Sequence, residues 1–273
     1  MTGVERWIEH SPMSDPSDFV SALTRLPSDI EAINRTIQGL LIHTGWLTAY
    51  GVDEKSFGAV SRQTLPVATR LAAILRSDAR PFDIPRLPDQ RAVGTCRDFA
   101  LLLCSILRSK GIPARVRCGF AGYFHSDWED HWVCEYWDRS AGIWRLSDAQ
   151  MDSLIAMRCN VSFNPADVPR QSFITAGVAW LDCRSGRSDP NRFGHGQTNG
   201  LWCLKVNVFR DHFAINKQEV SDWDEWRAAP EPARTVDDRE ASLLDSLAKF
   251  PERKFAEITP DWRAGESPCP KPR

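Results

Sequence analysis

The chain lacks the features that would commit it to a membrane, a polyanion or a disulfide scaffold. No run approaches the roughly 20 apolar residues that a spanning helix needs. The N-terminus, MTGVERWIEHSPMSDP, has no basic segment followed by an apolar one. The expectation is a cytoplasmic protein with no membrane partner. Charge of one sign is missing too. The 34 Lys and Arg against 36 Asp and Glu, a formal net charge of -2, leave no electrostatic footprint for nucleic acid. Eight cysteines are too sparse for a disulfide framework, and they stand singly at 96, 104, 118, 134, 159, 183, 203 and 269 with no C-x-x-C pair, which removes the usual zinc and thioredoxin-like spacings. His10, His43 and His212 do not combine with a Cys or a carboxylate at metal-ligand spacing, so neither a metal nor a cofactor is expected.

What is present is apolar and aromatic material, 42% and 10% of 273 residues, enough to bury a sizeable core. The organisation reads as a single domain: a helical part over 1–92, a helix with strands over 93–160, an extension over 161–235, and a short helix with a flexible tail over 236–273. Ser14 to Leu26 and Ser28 to His43 read as helices parted by Pro27, the second opened by the capping-box spacing Ser28-x-x-Glu31. A further helix spans about Pro66 to Arg76, and prolines 81, 85 and 88 mark an extended approach to Gly94. From Ala114 the period changes to two. Arg115, Arg117 and Gly119 alternate with Val116, Cys118 and Phe120, the pattern of a half-buried strand. His131 to Trp137 and Ile143 to Asp148 continue as strands around turn residues Asp138 to Gly142. Beyond Asn160 the pattern weakens into short apolar runs, and a helix returns over Arg239 to Phe250.

One cysteine is placed differently from the rest. In VGTCRDFALLLCSILRSKGIP, Thr95-x-x-Asp98 has the spacing of a cap and a first-turn acid, Phe99, Leu103, Ile106 and Leu107 form a helical stripe, and Gly111 and Pro113 end it. Cys96 therefore falls at the first helical position. Unpaired backbone N–H groups and the positive end of the helix dipole favour a thiolate there, and the thiolate is the nucleophile.

Such a nucleophile needs a base, and the base needs an orienting acceptor. His131 opens one strand and Asp148 closes the next. A hairpin turning near Arg139 and Ser140 sets Asp148 or its immediate neighbour opposite His131. The carboxylate would then hold the imidazole in one tautomer and stabilise its protonated form.

The stretches GTCRDFALLLCSILRSKGIPARVRCGF, DHWVCEYWD and GIWRLSDAQMD resemble, in that order, the transglutaminase-like superfamily. The resemblance covers roughly 37–152 and is strongest from Gly94 to Asp152. It implies an α+β fold with a papain-like core, in which N-terminal helices and a catalytic helix pack on an antiparallel sheet. It also implies Cys96 as nucleophile, His131 as base and Asp148 as orienter. The implied chemistry is acyl transfer through a thioester, from an amide or ester donor to an amine or to water. SDAQMD lacks the Asp-Pro-Thr ending common in the family, which leaves Asp152 as a rival acid, and nothing after Asn160 corresponds to the calcium-binding barrels of animal crosslinking enzymes. The backbone N–H of Cys96 supplies one oxyanion donor, and the indole of Trp46, in IQGLLIHTGWLTAYG, is a candidate for the second.

Other readings stay open beside this one. His125 competes as the base but sits in a charged loop. RFGHGQTNG, around His195, lacks both the phosphate-loop pattern and a strand-to-helix context. It reads as a mobile loop with a lid or acceptor-binding role as the alternative, which makes His195 a substrate-loop candidate. Trp223 and Trp226 read as packing anchors. An amide-forming transferase and a hydrolytic amidase or protease share every step to the acyl-enzyme. A non-catalytic scaffold is the remaining class, and the presence of all three reactive residue types argues against it.

Overall fold

The computed structural model describes residues 3–53, 55, 66–125, 127–196, 198–219 and 235–258. Trp223 and Trp226 lie outside the described residues. The helices are α1 Val20–Thr24, α2 Ile30–Leu40, α3 Val67–Ser77, α4 Cys96–Ser109, α5 Ser153–Arg158, α6 Ala176–Arg184, α7 Leu201–Ile215, α8 Asp238–Lys249 and α9 Phe255–Ile258. The strands are β1 Leu41–His43, β2 Ala92–Gly94, β3 Ala114–Ala121, β4 Trp128–Asp138, β5 Ile143–Ser147, β6 Phe173–Thr175, β7 Phe193–His195 and β8 Thr198–Asn199. β1 and β2 form a parallel pair, and the other strands follow the order β6-β3-β4-β7-β8 with β5 on β4. The fold is α+β. β3 pairs with β6 and β4 with β5 in antiparallel fashion, whereas β7 joins β4 in parallel, so the sheet is mixed rather than purely antiparallel.

The chain divides into two compact units, Met1–Val116 with Trp132–Pro169, and Arg117–His131 with Arg170–Arg273. In the first, α4 is the central element. Twelve consecutive residues, Arg97 to Arg108, are buried, because α1, α2 and α3 all pack against it. Arg108 ties its C-terminal end to the chain on both sides. Its Nε donates to the carbonyls of Ala114 at 2.9 Å and Trp7 at 3.2 Å, and Nη1 donates to Ser14 Oγ at 2.8 Å. α2 is capped by Asp29, whose carboxylate accepts from the Ala32 N–H at 2.9 Å. The capping-box spacing at Ser28 thus misplaces the cap by one residue, a shift the acidic neighbour makes possible because Asp is as good an N-cap as Ser. The helix also stops at Leu40. The β-branched Ile42 lies in a strand segment, Leu41–His43, that pairs with β2.

β3 is not half-buried. All eight residues are buried, because each arginine finds an internal carboxylate. Arg115 Nε donates to Glu135 Oε2 at 2.7 Å, with its guanidinium lying 4.0 Å from the Trp144 ring centre and 4.7 Å from that of Trp7. A buried charge is tolerable only when paired and hydrogen-bonded in this way.

In the second unit, Arg117 donates to both oxygens of Asp211, at 2.9 and 2.8 Å, and Asp211 also accepts from the Cys118 N–H at 2.9 Å. α6, α7 and α8 pack on one another, around Phe120, Trp180, Phe193, Leu204, Phe209 and Leu244. Trp180 closes one side by donating its indole N–H to Asp245 at 2.7 Å.

Candidate active site

The mouth of α4 is built by three residues around Cys96. Thr95, the N-cap residue, is extended, and its N–H donates to Asp98 Oδ2 at 2.7 Å while its hydroxyl donates to the same oxygen at 3.2 Å. The other carboxylate oxygen accepts from Arg70 Nη2 at 2.7 Å. Arg70 Nη1 goes on to the Val93 carbonyl of β2 at 2.9 Å. One buried guanidinium therefore fixes both the strand that enters the helix and the acid of its first turn. A side chain at position 94 would meet Asp98 at 3.0–3.1 Å, so glycine is what lets the carboxylate fold back over the cap. Arg97 turns the other way, its guanidinium 5.3 Å from the ring centre of Trp132. Asp98 is thus engaged in holding the helix start, and Cys96 itself stays partly exposed.

Cys159 and Cys183 are partly exposed like Cys96, but neither begins a long buried helix. Cys104, Cys118, Cys134 and Cys203 are buried. Burial, reinforced by the hydrogen bond and charge interaction with Cys104, pushes the Cys134 thiol well above its ordinary range. Burial with the charges of Asp182 and Asp189 pushes Cys183 up to about 11. Neither is set up to ionise near neutrality.

Trp46 is partly exposed in a 3₁₀ turn, Thr44–Tyr50, that follows β1. β1 and β2 run parallel with His43 opposite Gly94, so the chain leaving toward Trp46 runs alongside the chain leaving toward Cys96.

Asp148 follows β5 directly and is 1% exposed. Its N–H donates to the Pro165 carbonyl at 2.8 Å and its Oδ1 accepts from the Gln150 N–H at 3.0 Å. The chain around it is held from α2, where Gln38 donates to the carbonyls of Ala149 and Met151, and Asn34 donates to Ser147 Oγ at 3.0 Å. The rival acid has other work. Asp152 caps α5, accepting from the Ile155 N–H at 3.0 Å, and its second oxygen accepts from the Tyr50 hydroxyl at 2.6 Å. Burial, and then that bond, push the Tyr50 hydroxyl upward from its ordinary range.

The hairpin register differs from the one its turn residues suggest. β4 and β5 pair Cys134 with Ser147 and Asp138 with Ile143, which sets position 133 rather than 131 opposite 148. Asp138 causes the displacement. Its Oδ1 accepts from the N–H groups of Ser140 and Ala141 and from the Ser140 hydroxyl, and Gly142 takes a positive φ of 67°, so the turn spans four residues rather than two. A displacement of two keeps the same faces together, since the side-chain period of a strand is two.

His131 lies in β4 within the second unit and is 2% exposed. Phe124 and Tyr123 meet its ring edge-on, with centroids 4.9 and 6.0 Å away. His125 is exposed in the connection between β3 and β4. His195 does not sit in an open loop: it ends β7, which pairs with β4 through Glu129 opposite Gly194 and with β8 through His195 opposite Thr198. Backbone pairing, invisible in a glycine-rich string, orders that segment.

Arg70 is the supporting residue that sequence reasoning passed over. The signal was available, since a lone arginine within the apolar stripe Val67, Leu71 and Ile74 faces the core and must find a buried acceptor. Glu129 was passed over too, and the parallel addition of β7 brings His195 to it.

Residues 79–149 match a family model described as the transglutaminase-like superfamily, and Cys96, His131 and Asp148 fall within the matched segment. No curated protein matches the chain. Among solved structures it is similar to one described as "a Putative Cysteine Protease from Cytophaga hutchinsonii", at 17% identity over 64% of this chain and 46% of that one, with a TM-score of 0.40. The chain thus spans less than half of that neighbour's length. Among the described residues no helix is long and apolar enough to cross a membrane.

Proposed function

We propose that the chain is a cysteine acyltransferase in which Cys96 is the nucleophile, His131 the general acid–base and Asp148 the group that orients His131. The observation that carries this reading is the position of Cys96: the first residue of α4 and partly exposed, with the neighbouring Asp98 engaged by Arg70. Backbone N–H groups at that end have no intrahelical acceptors and face developing negative charge.

In this reading the Cys96 sulfur attacks the carbonyl carbon of an amide or ester donor, and the oxyanion is met by the Cys96 N–H and the Trp46 indole. His131 protonates the leaving amine or alcohol as the C–N or C–O bond breaks, which leaves a thioester on Cys96. An amine then attacks that thioester, loses its proton to His131 and departs as an amide while the thiol is restored. Water in place of the amine gives hydrolysis by the same steps.

The test is to incubate the protein with an aryl ester donor, quench with acid and map the peptides by mass spectrometry. An acyl group on the Cys96 peptide, absent from the Cys96→Ser variant and converted to an amide by added amine, is the expected result. No acyl group on Cys96 overturns the reading.

A further inference from the structure

Asp98 stands two residues after the proposed nucleophile, in the first turn of α4. Its carboxylate folds back over the cap. Oδ2 accepts from the Thr95 N–H at 2.7 Å and from the Thr95 hydroxyl at 3.2 Å, and it lies 3.1 Å from where a side chain on Gly94 would begin. A negative charge is therefore set against the two residues that lead into Cys96.

For the helix alone this is favourable, because an acid in the first turn complements the positive end of the dipole. For the chemistry it is not. A sulfur that carries negative charge, and an oxyanion beside it, are both repelled by a carboxylate on the same turn. Solvent does little to screen that repulsion, since the Asp98 side chain is 2% exposed, and charges interact far more strongly in a protein interior than in water.

Arg70 supplies the cancelling charge. It reaches in from α3, with Nη2 2.7 Å from Asp98 Oδ1 and Nη1 2.9 Å from the Val93 carbonyl, and its own side chain is 8% exposed. The two donors of Thr95 are neutral, so the guanidinium is what brings the net charge of the cap toward zero. The cap geometry needs an acid at position 98, and the mouth needs that acid neutralised.

We propose that Arg70 is a positioning residue for acylation: it cancels the Asp98 charge, so that α4 presents the positive end of its backbone to the Cys96 sulfur and the oxyanion while the cap stays closed. This rests on the acyltransferase reading above. Arg70 acts through Asp98, not on the reacting atoms.

Acylation of Cys96 in the full chain by an aryl ester is followed by acid quench and mass spectrometry over a range of donor concentrations, with thermal melting as the control for folding. Arg70→Met is expected to lower the rate at saturating donor about tenfold or more, the scale of one uncancelled interior charge a few ångströms away. The half-saturating donor concentration is expected to move far less, because the lost interaction favours the charged transition state and not donor binding. Adding Asp98→Asn to Arg70→Met removes the charge but keeps a side-chain oxygen for the Thr95 N–H, and it is expected to restore most of the lost rate. A purely structural Arg70 predicts the reverse, since the double variant has lost two anchors.

Arg70→Lys keeps the cation and gives up the planar fork. It carries the test where Arg70→Met does not fold, with an expected loss of less than about tenfold. An unchanged rate in Arg70→Met, a double variant no faster than Arg70→Met, or a larger loss in Arg70→Lys overturns the proposal and leaves Cys96 as the nucleophile. Failure of the unaltered chain to acylate at Cys96 overturns the acyltransferase reading itself, and this inference with it.

Discussion

The Tyr50 hydroxyl donates to Asp152 Oδ2 at 2.6 Å, and the other oxygen of the same carboxylate caps α5. Asp152 is thereby a structural acid, four residues from an aspartate with a different proposed task.

Asp152→Ala is expected to cost about 2 kcal/mol of stability, combining a lost N-cap of ~1 kcal/mol with a lost charge-assisted bond. Acylation of Cys96 in the folded fraction is expected to continue. Asp148→Ala is expected to do the reverse, with acylation falling by a factor on the order of 10² or more. Thermal melts and acylation rates on the two variants check this, and equal acylation losses would return Asp152 to contention as the orienting acid.

Thiol reactivity separates Cys96 from its neighbours. Iodoacetamide at neutral pH should label Cys96 well before Cys183, whose thiol is pushed up to about 11, and before the buried Cys104 and Cys134. Time-resolved peptide mapping reads the order. Labelling of Cys183 at the rate of Cys96 would remove the case for an activated sulfur.

The buried pair of Arg117 and Asp211 makes a sharper stability prediction. Arg117→Leu leaves a carboxylate buried without its guanidinium and is expected to cost about 3–5 kcal/mol. The double variant Arg117→Leu with Asp211→Leu is expected to recover part of that, though not all, since Asp211 also accepts from the Cys118 N–H. Denaturant titrations of the two variants measure the difference, and a double variant less stable than the single one would contradict the account.

His212 sets an acid limit on the second unit. Burial lowers its pKa from 6.5 to about 4, outweighing the opposing charge of Asp211, and the rings of Phe213 and Phe255 lie against it. Its folded value lies below its unfolded one, so the unfolded chain binds the extra proton between about pH 6.5 and 4. Stability therefore falls as pH drops through that window, by up to ~3 kcal/mol. His212→Phe should flatten the loss between pH 6.5 and 4 in urea titrations, and an unchanged slope would assign the acid sensitivity to other groups.

The sequence made the helix mouth legible because its signals are local. Thr95, Asp98, the stripe from Phe99 to Leu107 and the Gly111 stop all act within one helix, and the described α4 begins at Cys96 as read. Partners distant in sequence were not legible. Arg115 and Arg117 looked like the wet face of a strand because nothing near them announces Glu135 or Asp211. α7 escaped periodicity for a related reason. From Cys203 to Ile215 it is buried on every side, including Lys205, Arg210 and Asp211, so no polar face alternates with an apolar one. His195 was singled out, but as part of a loop, because the backbone pairing that makes β7 a strand leaves no mark in glycine-rich composition.

The division of the chain also bears on how it can be taken apart. The backbone passes between compact units after Val116, after His131 and after Pro169, so each is assembled from separated stretches and two of the crossings fall inside continuous strands. No single cut releases either one. Deleting everything beyond residue 169 would strip β3 and β4 of the strands they pair with at Phe173–Thr175 and Phe193–His195, and so would reach the strand on which position 131 sits. The extension is part of the frame of the fold, not an appendage to be trimmed.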